Sequence, residues 1–216
     1  MYAQASYYLD RIAKYAGSIA AFLVVLLSLL VAYDAAMRYL FSAGSIALQE
    51  VEWHLFDIIF LLGLTYALKH DKHVRVDIFF ERYSKESRGI VQILSMMFLV
   101  IPFSLVFLSD SIDMLMQSYL QHEISSDPGG LTHRYIIKSV LVLAFILLII
   151  QALSEVLKAF GRLESKKNFL RIFGIVMILG GLVYTADHYD MAYWADPILL
   201  MFALTLFLLM AGFQVA

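Results

Sequence analysis

Acidic and imidazole side chains within an apolar segment are the first candidates for chemistry in this sequence. Glu50, His54 and Asp57 are spaced i, i+4 and i+7, so on a helix they share one face. Asp57 would lie about 10 Å along the helix axis from Glu50. A carboxylate at the centre of a membrane helix costs about 2.5–3.5 kcal/mol on the insertion scale. This face is therefore expected to pack against other protein, and with Arg38 and Glu52 it forms the predicted polar stripe.

Three roles for the polar stripe remain open from the sequence. It can be a structural contact in which Arg38, Arg134 or Lys138 neutralises the carboxylates, which is the interpretation we prefer. It can be a proton- or sodium-coupling site in which Asp57 changes charge during transport. It can also be a docking surface for another subunit.

The segment KHDKHVRVDIFFER follows the stripe and contains a second set of polar side chains. His70, Asp71, His73 and Asp77 include the residue types of a metal site, but nothing fixes their geometry and the neighbouring cations would repel a metal. We predict instead a solvated loop in which His73, Arg75 and Asp77 make local or intersubunit contacts.

A turn signal stands at Asp127, Pro128, Gly129 and Gly130, where proline and two glycines follow an aspartate. No GxxxxGK[ST] motif accompanies the glycines, so they do not indicate a phosphate cradle. This segment is predicted to be an outer turn between two helices.

Other catalytic patterns are missing from the sequence. It contains no cysteine, no HExxH pair and no P-loop, and only His54 falls within a predicted span, which leaves paired haem ligands unsupported. We therefore predict a protein that is not an enzyme and holds no cofactor, and nothing suggests a nucleic-acid partner.

The elements that position these residues are apolar helices. Hydrophobic residues make up 62% of the 216-residue chain and charged residues only 16%, a balance unlike that of soluble domains. The apolar residues come in blocks of roughly 20, which predicts an all-α polytopic membrane protein. Pro102 is expected to kink the third block, and residues 2–15 suggest a short interfacial helix. The predicted spans are 16–33, 51–68, 89–109, 135–154, 172–186 and 197–216.

Basic residues predict the orientation of these spans. Of the 16 lysines and arginines, all but Arg38, Arg134 and Lys138 fall in one alternating set of segments. By the positive-inside rule both ends are cytoplasmic, and residues 34–50, 109–134 and 187–196 face outward.

The run from residue 37 to residue 83 resembles the small membrane subunit of tripartite ATP-independent periplasmic (TRAP) transporters. The resemblance covers about residues 10–160. In that family an Arg-Tyr-aromatic stretch ends the first span, acidic residues open the second, and a His-x-x-Val-Asp motif follows it. The matching positions here are Arg38, Tyr39, Glu50, Glu52, Leu61 to Gly63, His73, Val76 and Asp77.

This resemblance implies a non-catalytic subunit of a secondary transporter in the bacterial inner membrane. Such a subunit has four spans and packs on a large membrane subunit, which carries the substrate and sodium sites. Sodium or proton coupling is accordingly expected in the large subunit. A periplasmic substrate-binding protein delivers a small organic solute, often a carboxylate. The expected partners are therefore the large subunit, the binding protein and the lipid bilayer.

The end of the chain departs from the four-span pattern. Residues 1–162 are predicted to form the small-subunit domain, 163–190 a connector helix, and 191–216 the start of a helix like the first one of the large subunit. Fused small and large subunits occur in the family, and we interpret the chain as the front part of such a fusion.

Two other function classes remain as alternatives. A membrane anchor of a redox enzyme would bind haem or quinone, which a single intramembrane histidine does not favour. A self-sufficient small carrier would be expected to show inverted repeats, and we find none in the sequence.

Overall fold

The computed structural model describes residues 2–70 and 83–163, together with Gly174. The predicted contacts of His73, Arg75 and Asp77 lie outside the described residues. So do most of the predicted connector and all of the segment 191–216. The division into three domains therefore stays a prediction.

Within the described ranges the chain is helical, without strands, which confirms the predicted all-α class. Among the described residues, four helical stretches are long and apolar enough to cross a membrane, and they contain the first four predicted spans: Gln4–Phe41, Ile46–Lys69, Lys85–Leu120 and Tyr135–Arg162. The elements are α1 (Tyr2–Phe41), α2 (Ile46–Lys69), α3 (Lys85–Ser95), a π-helical segment (Met96–Val100), α4 (Ile101–Leu120) and α5 (Tyr135–Arg162).

Helix α1 has 40 residues and runs without interruption from Tyr2 to Phe41. Its length is about 60 Å, twice the roughly 30 Å of a hydrocarbon core. The prediction of a separate interfacial helix over residues 2–15 is therefore wrong. The Asp10 carboxylate in this part of α1 is bonded to another helix, since it accepts a hydrogen bond of 2.6 Å from Ser154 of α5.

The third spanning stretch widens one turn before its proline. Pro102 has no N–H to donate, and its ring crowds the carbonyl four residues earlier, which belongs to Phe98. That carbonyl lies inside the π-helical segment Met96–Val100, between α3 and α4. A π turn is a common point of distortion in a helix. The distortion expected from Pro102 is therefore found in the π-helical turn that comes just before the proline.

Helix α5 lies at the centre of the bundle and contacts α1, α2, α3 and α4. Small residues let these helices approach closely: Ala13, Ala16 and Ala20 of α1 are buried, as are Ala152 and Ala159 of α5. Larger apolar side chains fill the space between α2, the π-helical segment and α5. This core cluster contains Leu68, Met96, Val100, Phe145, Leu148 and Ala152.

The two ends of the bundle differ in charge. At one end Lys69 of α2 donates to the Asp10 carbonyl (3.0 Å) and Lys158 of α5 contacts the Asp10 carboxylate. We call this the basic end. The opposite end, which we call the loop end, contains residues 42–45 and 121–134 and the cations Arg38 and Lys138. The separation matches the charge pattern used above to predict orientation.

We expect the contact between Gly17 of α1 and Tyr66 of α2 to be sensitive to one added methyl group. A Cβ atom at Gly17 would overlap the Tyr66 ring, whereas one at Gly63 would have no atom within 4 Å. Gly17→Ala should therefore destabilise the purified chain by about 1–3 kcal/mol, the usual range for overpacking. Gly63→Ala is the matched control and should be neutral or slightly stabilising. Equal unfolding free energies for both variants in a detergent titration would contradict this packing.

Candidate interface at the loop end

Glu50 ties α2 to the loop between α4 and α5. One of its carboxylate oxygens accepts a hydrogen bond from the Ser125 hydroxyl, and the other accepts one from the Leu131 backbone N–H at 2.5 Å. Ser45 caps the start of the same helix by accepting from the Leu48 N–H at 3.3 Å. Glu50 therefore connects two segments that are far apart in sequence, and we call its hydrogen bonds to Ser125 and Leu131 the latch.

The turn that meets this latch is a type II β-turn. The Gly130 N–H donates to the Asp127 carbonyl at 2.9 Å, with Pro128 and Gly129 in the central positions. Gly129 has a φ of +82°, which glycine adopts without steric cost. A Cβ at Gly130 would lie 2.5 Å from the Ser125 Oγ and 2.9 Å from a Glu50 oxygen. Glycine at position 130 thus leaves room for the latch.

The two cations nearest the turn are paired within the loop end. The Lys138 ammonium forms an ion pair with Glu123, and the Arg134 Nε lies 4.0 Å from the same carboxylate. The hydrogen bond from Lys138 is the main reason that the pKa of Glu123 lies below its ordinary value of 4.5. The main partner of both cations is therefore Glu123, which lies outside the stripe, whereas Arg134 also attracts the stripe residue Glu50 more weakly. The neutralisation of the other stripe carboxylates stays a prediction.

Arg38 also has a partner outside the predicted stripe. It forms an ion pair with Asp34, one helical turn earlier on α1. Asp34 is almost completely buried, with 1% of its surface exposed, and its second carboxylate oxygen has no hydrogen-bond partner among the described residues. Arg38 therefore serves α1, and the expectation that it neutralises the α2 carboxylates is wrong.

Glu50, His54 and Asp57 of the stripe line a groove of about 660 Å³ between α2, α4 and α5. His54 and Asp57 contribute one wall, and Arg134 and Lys138 contribute part of the other. Glu52 lies toward α1, where one of its oxygens is buried without a partner among the described residues. The stripe is thus divided: Glu50 is held by the loop, whereas Asp57 is exposed and forms no hydrogen bond or ion pair within the described ranges.

Large aromatic side chains surround Asp57 on the exposed face of α2. Trp53 is 75% exposed, Phe56 59% and Phe60 58%. These residues follow helical spacing, so they form one continuous surface, which we call the aromatic face (Trp53, Phe56, Asp57 and Phe60). A carboxylate within such a surface is unusual for a helix that meets only lipid.

A sequence model of the family "Tripartite ATP-independent periplasmic transporters, DctQ component" matches residues 27–162. The match covers more than half of the chain. The chain belongs to the DctQ family. Among curated proteins, no match was found.

Membership of the DctQ family makes this chain a small membrane component of a TRAP transporter, and it confirms the resemblance noted in the sequence. The family and the four long apolar helices together indicate a multi-pass membrane protein with a role in transport. DctQ proteins associate with a large membrane subunit and a binding protein. The predicted absence of a cofactor stays a prediction.

The basic end of this DctQ protein contains a polar network that was not predicted from the sequence. Gln151, Ser154 and Glu155 of α5 are each at most 6% exposed. They surround Asp10 of α1 together with Lys158. Their spacing in an apolar helix is i, i+3, i+4 and i+7, the same signal that revealed the stripe on α2. Applied to α5, this signal would have located the network.

Proposed function

We propose that this chain is a non-catalytic scaffold subunit that packs on the large membrane subunit of a TRAP transporter. It would support uptake, driven by an ion gradient, of a small organic solute such as a carboxylate delivered by a periplasmic binding protein. The bacterial inner membrane is the proposed location, with a cytoplasmic N-terminus. The observation that carries the proposal is an aspartate in the middle of the exposed aromatic face of a membrane-spanning helix, without a partner among the residues that the structure describes.

The position of Asp57 argues for a protein partner on this face. Asp57 is the twelfth of the 24 residues of α2, so it lies near the middle of the helix. A charged carboxylate in contact with lipid at that depth is costly, by about 2.5–3.5 kcal/mol on the insertion scale. Exposed tryptophan and phenylalanine around it are residue types that protein interfaces favour. A partner helix that supplies a hydrogen-bond donor or a cation would remove this cost.

The other predicted site residues have supporting parts in this proposal. Glu50 and the turn at Asp127–Gly130 would fix the shape of the loop end. Glu52 would help to hold α1 against α2 beside the aromatic face, and Arg38 would stabilise the end of α1 through its ion pair with Asp34. His73, Arg75 and Asp77 are proposed to contact the chain itself or a neighbouring subunit.

The test of the proposal is co-purification of the large subunit with variants of the aromatic face. Trp53→Ala combined with Phe60→Ala should reduce the recovered large subunit by roughly tenfold or more, since such anchors carry most of the energy of an interface. Phe22→Ala on α1 is a matched control, because Phe22 is 68% exposed but lies on another surface. Unchanged recovery with the double variant would reject α2 as the contact surface.

The second candidate role is ion coupling at Asp57, favoured by its exposure toward the groove and by His54 nearby. Asp57→Asn separates the two roles, because asparagine keeps the shape and removes the titratable charge. The scaffold proposal expects this variant to assemble and to transport with an unchanged dependence on the ion gradient. Normal assembly with lost coupling would support the second role instead.

A further inference from the structure

A second cavity lies at the basic end, where α1 begins and α2 ends. Its volume is about 470 Å³, and the side chains that line it include Tyr7, Arg11, Lys14, Tyr15, Ser18 and Lys69. Three cations thus converge on one opening with two tyrosines beside them. Membrane proteins place this combination of cationic and aromatic residues at the level of lipid headgroups.

The positive charge of this cavity is not neutralised within the described residues. Lys69 donates to the Asp10 backbone carbonyl at 3.0 Å, and Arg11 donates to the Tyr15 hydroxyl at 3.0 Å. Neither bond involves a carboxylate. The Asp10 carboxylate also lines the cavity, but its oxygens accept hydrogen bonds from Ser154, Gln151 and Lys158. Among the described residues, these cations have no carboxylate partner, and the cavity therefore presents positive charge to an anion.

An apolar surface continues from the cavity along the same face of α1. Arg11, Tyr15 and Ser18 are followed at helical spacing by Phe22, Val25 and Leu29. The exposed fractions of these three apolar residues are 68%, 58% and 65%. The cationic cavity and this apolar strip are therefore together complementary to an amphiphile with an anionic head.

We propose that the basic end holds an anionic phospholipid, with its phosphate in the cavity and its acyl chains along Phe22, Val25 and Leu29. Arginine and lysine bind phosphate oxygens through charge-assisted hydrogen bonds. A zwitterionic headgroup fits less well, because its cationic group would meet three like charges and an aspartate that is already bonded. This site is independent of the aromatic face of α2.

The test is native mass spectrometry of the full chain with phosphatidylglycerol or phosphatidylcholine. The wild-type chain should retain phosphatidylglycerol preferentially, and Arg11→Gln combined with Lys14→Gln should weaken its binding by about 25-fold, or about fivefold for each cation near the surface. Lys85→Gln combined with Arg162→Gln is the matched control, because it removes the same charge from exposed positions at this end and should leave binding unchanged.

Further measurements separate a lipid from a soluble phosphate and a site from general surface charge. Glycerol phosphate should compete poorly, and Phe22→Ala should weaken phosphatidylglycerol binding without changing the response to glycerol phosphate. Effective competition by glycerol phosphate would assign the cavity to a soluble phosphate and overturn the lipid assignment. Equal retention of both lipids, or equal losses in the two charge variants, would overturn the proposed site.

Discussion

Replacing Lys158 with methionine should markedly destabilise the helix bundle. The Lys158 ammonium lies 3.2 Å from the Asp10 carboxylate and also pairs with Glu155. Its removal leaves two carboxylates close together without their cation. The expected loss is about 2 kcal/mol of unfolding free energy. That is below the roughly 3–5 kcal/mol for a fully buried pair, because the Lys158 and Asp10 side chains are 21% and 23% exposed.

A second exchange tests whether charge causes this loss. Glu155 is 6% exposed and accepts hydrogen bonds from Gln151 (2.8 Å) and Gln92 (3.2 Å). Glu155→Gln should restore part of the stability of Lys158→Met, because a neutral amide needs no cation; such coupling is expected between neighbours in one network. Lys85→Met is the control for losing a lysine, because Lys85 lies at an exposed position at the start of α3. If Lys158→Met and Lys85→Met unfold at the same denaturant concentration, the network does not stabilise the bundle.

The second large effect is expected from Glu50→Ala at the loop end. This variant removes the acceptor for the Ser125 hydroxyl and for the Leu131 N–H at once. The loop of residues 121–134 would then lose its direct hydrogen bonds to α2. Hydrogen bonds to charged acceptors are stronger than neutral ones. The Leu131 amide should therefore exchange its hydrogen about tenfold faster or more.

Two further variants give this prediction its controls. Asp57→Asn lies on the same helix but removes no hydrogen bond among the described residues, so loop exchange should not change. Gly130→Ala should speed exchange as Glu50→Ala does, because its Cβ would crowd both Ser125 and Glu50. Wild-type exchange at Leu131 in Glu50→Ala would show that the latch does not hold the loop.

The spans were predictable because each needs an apolar run, and such runs are visible in one sequence. Residues 2–15 were predicted to form an interfacial helix because Asp10 and Lys14 suggest a membrane surface. They belong instead to α1, where the Asp10 carboxylate accepts a hydrogen bond from Ser154 of α5, 144 positions later in the sequence. The partner of Arg38 was within reach of the sequence, since Asp34 lies one turn away.

The partners of Glu50 could not be predicted in the same way. Leu131 is 81 positions from Glu50, and its N–H meets the carboxylate only because the type II turn folds the loop back toward α2. Sequence spacing determines neighbours within a helix, whereas contacts between a loop and a distant helix depend on the whole arrangement. Spacing therefore placed Glu50, His54 and Asp57 on one face of α2, but it could not show that Glu50 binds the distant loop.

Reconstitution of transport in liposomes is the most direct test of the claim that this DctQ subunit braces another protein. The large subunit, the binding protein and this chain together should accumulate solute when an ion gradient is applied. The purified chain with the binding protein, in liposomes without the large subunit, should accumulate none. Gradient-driven uptake by this chain in the absence of the large subunit would contradict the account.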